Sequence, residues 1–176
     1  GAVLVLGFVL SARTAVAPLV PLGVIWQRMF VSGTAAVFCQ MFCLGATVLA
    51  VPYWLTQHEG VSTAHAGLIT FALPAAMALL APISGIVTSR ITPLPTIRGG
   101  MALLILAQVA LALVTSSSTT GVLLILVMVA SGIGVAFVQT PGATLASSSV
   151  NGVGSAIGIY NMMRFSGSMV GAAWVA

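Results

Sequence analysis

Residues 121–147 read GVLLILVMVASGIGVAFVQTPGATLAS. No charged residue occurs in this stretch, and it is longer than the roughly 20 helical residues needed to cross a hydrocarbon core of about 30 Å. Its apolar residues run on without alternation. A membrane strand would be about 10 residues long and alternate in polarity. Backbone groups in lipid must find their partners within the segment, which leaves the α-helix. Pro141 interrupts the stretch.

Similar stretches lie on both sides. Residues 31–52, 66–87 and 99–115 are uncharged, 99–115 being slightly short, and 152–176 carries one Arg. Residues 1–10 resemble the tail of a further span. The connections are short, at 53–65, 88–98, 116–120 and about 148–151. Gly60, Ser62 and the polar cluster at 116–120 are turn and cap signals. The expected fold class is therefore an all-α integral membrane protein, a polytopic helical bundle.

Composition leads to the same class. Of 176 residues, 60% are hydrophobic and 3% charged, with five Lys or Arg and one Asp or Glu. A soluble domain carries about 25% charged residues. The mean hydropathy of +1.21 excludes a soluble enzyme or a nucleic-acid-binding domain. The pI near 10.1 reflects a few unopposed arginines rather than a basic patch. There is no initiator Met, and both ends lie in apolar text, which reads as a fragment of a larger protein.

The arginines predict sidedness. Arg13 and Arg28 precede the 31–52 span, and Arg90 and Arg98 follow two spans later, on the same face. The intervening connection holds His58, Glu59 and His65 and no Arg. The positive-inside rule makes the arginine face cytoplasmic. Residues 11–30, interrupted by Pro18 and Pro21, read as a cytoplasmic connector along the interface, with Trp26 at headgroup level.

No conventional catalytic set is present. Glu59 is the only acidic side chain, so no acid/base pair exists, and an enzyme is not expected. His58, Glu59 and His65 match no zinc spacing and read as a solvated loop; neither a metal nor a cofactor is expected. Cys39 and Cys43 share a helix face and read as small packing residues. A channel is disfavoured, because no ring of charge or filter-like loop occurs.

Arg164 is the most informative residue. It lies about 18 Å into the last span at 1.5 Å per residue. Burying an Arg there costs about 3 kcal/mol, so such residues face a bundle interior or a water-filled cavity. Asn161 lies one turn earlier, on nearly the same face. Arg164 is either a substrate or coupling residue in a cavity, or a structural Arg on helix-end carbonyls. Gly154, Gly158, Gly167 and Gly171 form two small-xxx-small pairs suited to close helix packing. Gln40, Gln108 and Gln139 lie near the middle of spans and can bond across helices or line a polar path. Pro74, Pro82 and Pro141 free backbone carbonyls inside spans.

Four stretches carry a family likeness: 13–30 (RTAVAPLVPLGVIWQRMF), 57–74 (QHEGVSTAHAGLITFALP), 85–90 (GIVTSR) and 132–171, with Asn161, Arg164, Gly167 and Gly171 in order. Together they resemble the C-terminal half of a major facilitator superfamily transporter, of the fourteen-helix drug:proton antiporter branch. The resemblance implies that 1–10 ends a preceding helix, 11–30 is the connector, and 31–176 holds five of the six C-terminal helices. A sixth helix and the N-terminal bundle would lie outside this chain. It also implies a midplane cavity between two bundles, lined by the first, second, fourth and fifth helices. Gln40, Gln139, Asn161 and Arg164 become candidate cavity residues, and Gln108 a structural one. Gly85 and Arg90 belong to a worn copy of the family's loop signature, in which Ser89 replaces the usual Asp.

The implied function is secondary active transport by alternating access, with proton-coupled efflux of small amphipathic or drug-like compounds from a bacterial inner membrane. The partners would be lipid, a small-molecule substrate, protons and the N-terminal bundle, with no nucleic acid. The alternatives are a metabolite or sugar permease of the same fold, or a non-transporting membrane subunit.

Overall fold

The computed structural model describes residues 28–116, 121–148 and 153–176. They form five helices: α1 (Arg28–Gln57), α2 (Thr63–Arg90), α3 (Pro93–Ser116), α4 (Gly121–Ser148) and α5 (Val153–Val175). No strand occurs among the described residues. The readings of 1–10 as a helix end and of 11–27 as an interfacial connector lie outside them.

The helices are longer than the uncharged stretches. α1 begins at Arg28 and so takes in residues 28–30, which were expected in the connector. The connections at 53–65 and 88–98 shrink to residues 58–62 and 91–92. Hydropathy measures only the part of a helix that lies in hydrocarbon, and nothing stops helical hydrogen bonding beyond it. Local chemistry sets the observed ends. Ser62 caps α2, its hydroxyl accepting from the His65 N–H. Gly60 turns the chain before it with φ of 63°. Pro93 opens α3, where its missing N–H costs nothing.

Among the described residues, four helices, α1 to α4, are long and apolar enough to cross a membrane. α5 has 23 residues but carries Asn161, Arg164 and several serines, which lower its hydropathy. Successive helices alternate in direction. Arg90 and Arg98 therefore lie at one end of the bundle, and His58 and Glu59 at the other.

α4 is the hub. It packs along α2 and α3, with smaller contacts to α1 and α5, while α5 packs mainly on α1. Small residues make these approaches possible. A Cβ at Gly132 of α4 would fall on the Leu73 carbonyl of α2. Ser84 donates to the Ala136 carbonyl at 3.0 Å, tying α2 to α4. Thr47 donates to Gln108 Oε1 at 3.2 Å, tying α1 to α3.

The polarity pattern is that of a membrane bundle. Thr34, Gln40, Thr47, Ser84, Thr88 and Ser131 are buried, whereas Leu68, Leu79, Leu106 and Val122 are exposed. Water would penalise so much apolar surface. Lipid does not, and interhelical contact in lipid favours small and polar side chains.

Candidate functional site

A groove of about 660 Å³ lies between α2 and α5, with α4 as its floor. Such a volume suits a small organic molecule. The groove exists because α2 and α5 do not pack on one another to any extent. Its walls are also trimmed with small residues: Ala78 and Ala81 on α2, Ala136, Ala143 and Ala146 on α4. Met77 and Ile157 add apolar surface. Gln139, Thr140, Thr144, Tyr160, Asn161 and Arg164 supply the polar groups. The groove runs from the middle of α2 to the last turn of α4, toward the end that carries Arg90 and Arg98.

The position of α5 is set by its C-terminal half. Cβ atoms at Gly167 and Gly171 would fall on the Phe38 and Phe42 carbonyls of α1. A Cβ at Gly45 of α1 would meet the Ser168 backbone. These contacts fasten α5 to α1. The preceding turns then stand beside α4, where the Tyr160 hydroxyl donates to the Gln139 carbonyl at 2.9 Å. Tyr160 is buried and packs with Val37, Met41 and Val138. Asn161 and Arg164, at i+1 and i+4 from it, flank the same wall.

Arg164 is half-buried. Its guanidinium carbon lies 5.8 Å from the Phe165 ring centroid, within cation–π range. No acidic side chain lines the groove. Glu59 lines a separate cleft of about 390 Å³ with Trp54 and His65, at the opposite end of the bundle. The Gln139 Oε1 is buried without a hydrogen-bond partner.

The structure thus brings Gln139, Asn161 and Arg164 to one groove. Gln40 is not with them. It lies on α1 with no exposed surface, and neither of its amide atoms has a hydrogen-bond partner. Gly85 faces the Thr140 methyl at van der Waals distance. Arg90 is exposed in the last turn of α2, where a cation complements the helix dipole. Residues 85–90 are helical, so this worn signature sits on the end of α2 rather than in a loop. Gly158 has open space where a Cβ would stand. Gly154 lies in the first turn of α5.

Among the described residues, no group of three or more His, Cys, Asp or Glu could hold a metal ion. Cys39 and Cys43 are free thiols. Sequence reasoning missed Tyr160, Thr140, Thr144 and the alanine-trimmed face of α2. Tyr160 precedes Asn161, and Thr140 and Thr144 stand one helical turn apart, so a search for polar groups near Gln139 and Asn161 would have found them.

The fold and the groove define an integral, multi-pass membrane protein built as a helical bundle. The chain belongs to the Major Facilitator Superfamily, whose sequence pattern it matches over residues 4–172. It is also similar to an uncharacterized MFS-type transporter of Mycobacterium tuberculosis (strain ATCC 25618 / H37Rv), with 27% identity over 168 residues. That match covers 94% of this chain and 29% of the relative, so the chain spans under a third of that protein's length.

Proposed function

We propose that this chain forms one side of the substrate pathway of a secondary active transporter. In this reading the transporter exports small amphipathic compounds in exchange for protons across a bacterial inner membrane, by rocking of two bundles. The observation that carries the reading is the α2–α4–α5 groove, in which apolar walls surround Gln139, Asn161 and Arg164. Clefts of this kind, apolar with a few convergent polar groups, are the usual form of small-molecule sites. Membrane-embedded charges in such bundles mark substrate or ion pathways.

The groove extends toward the arginine-bearing end, which the positive-inside rule makes cytoplasmic. It therefore fits the inward-facing half of an alternating-access cycle. Glu59 lies away from the groove. The coupling carboxylate is accordingly assigned to a part of the protein outside these residues. The similarity to a mycobacterial MFS-type transporter supports transport and a bacterial membrane.

The test uses the full-length protein in proteoliposomes. A proton gradient should drive uptake or release of an amphipathic solute, and an uncoupler should abolish it. Solute flux that ignores the imposed gradient would overturn the proton-coupled reading.

A further inference from the structure

We infer that the groove selects amphipathic organic anions, with Arg164 as the residue that binds the anionic group. The inference takes from the proposed function only that the groove holds a ligand. It adds the chemical class of the ligand group that this side of the pathway recognises, argued from the charge that the described residues place in the groove.

Among the described residues, Arg164 is the only charged side chain lining the groove. The only acidic side chain in the sequence is Glu59, and the cleft it lines shares no residue with the groove. An Arg side chain brings a planar, delocalised cation to the groove wall. In a low-dielectric wall it therefore attracts an anion and repels a cation with little screening. The Phe165 ring offers only a weak cation–π contact, which leaves the guanidinium's fork of N–H donors available. That fork matches the paired oxygens of a carboxylate, sulfonate or phosphate.

The rest of the groove fits an amphipathic ligand. Asn161, one turn before Arg164, adds an amide next to the charge. Met77, Ala78 and Ala81 form an apolar wall on α2 for an aromatic or aliphatic body. Gln139 lines the same groove, with its Oε1 buried behind the surface and without a hydrogen-bond partner.

The test is equilibrium binding of radiolabelled p-toluenesulfonate, a permanent anion, to the purified full-length protein. Two competitors of similar size are p-tolyl methyl sulfone, which is neutral, and benzyltrimethylammonium, a cation. The sulfonate should bind at least tenfold more tightly than either, about 1.4 kcal/mol. Arg164→Gln should remove that preference, and Arg164→Lys should keep part of it, which separates lost charge from misfolding. Equal binding of the sulfone or the cation would overturn the inference, as would unaltered sulfonate binding in Arg164→Gln. Because binding is read without flux, its failure is distinct from that of the transport reading. A sulfonate that binds without being carried argues against transport and leaves the anion site intact.

Discussion

The Tyr160 hydroxyl donates a hydrogen bond to the Gln139 main-chain carbonyl at 2.9 Å, and this bond joins α5 to α4 at the edge of the groove. It fixes the distance between the two polar walls, because Asn161 and Arg164 follow Tyr160 on α5 and Thr140 follows Gln139 on α4. Tyr160→Phe keeps the ring packed and deletes only the donor. The expected cost is about 1 kcal/mol. It should appear as a lower melting temperature of the full-length protein in detergent. Solute affinity should weaken as well, because the walls are no longer held in register. An unchanged melting temperature would show that this bond does not contribute to stability.

The glycines of α5 divide into two kinds. At Gly171 a side chain would collide with the Phe42 carbonyl, whereas at Gly158 it would meet open space. Gly171→Leu should therefore displace α5 from α1 and give a protein that is unstable or aggregated in size-exclusion chromatography. Gly158→Ala should be tolerated, and it should gain slightly from the better helix propensity of Ala. Similar behaviour of the two variants would contradict the α1–α5 packing.

Gln40 carries a buried amide with neither polar atom bonded. Leaving buried polar groups unpaired costs about 1–3 kcal/mol each, and an apolar replacement of similar shape removes that cost. Gln40→Met should therefore hold or raise the melting temperature. A marked fall would mean that Gln40 has a partner outside the described residues, such as water or another part of the protein.

Sidedness can be read chemically. Cys39 and Cys43 are free thiols and are first replaced by Ala. Single cysteines at Glu59 and at Arg98 should then label from opposite faces of intact cells with an impermeant maleimide, Glu59 from outside. Labelling of both positions from outside would overturn the assignment of the arginine end to the cytoplasm.

Several features were legible from the amino-acid order alone. Scarce charge and unbroken apolar text dictate membrane helices, because lipid leaves the backbone few other ways to satisfy its hydrogen bonds. Ser62 was readable as a cap, since capping depends on residues within one turn. Arg164 stood out because a charge deep in an apolar stretch needs a polar surrounding.

Other features needed the packed bundle. Gln40 and Gln139 look alike in sequence, each an amide in the middle of an apolar helix. One is sealed in the α1 packing and the other opens onto the groove. A soluble helix would have betrayed the difference by a polar stripe, but a helix apolar on every side carries no such signal. Which faces meet was decided by shape, by glycines on α5 against α1 and by Gly132 of α4 against α2. That shape also changed the meaning of Arg164. From sequence it was a choice between a cavity and a structural role, and the bundle sets it beside a groove lined by no acidic side chain.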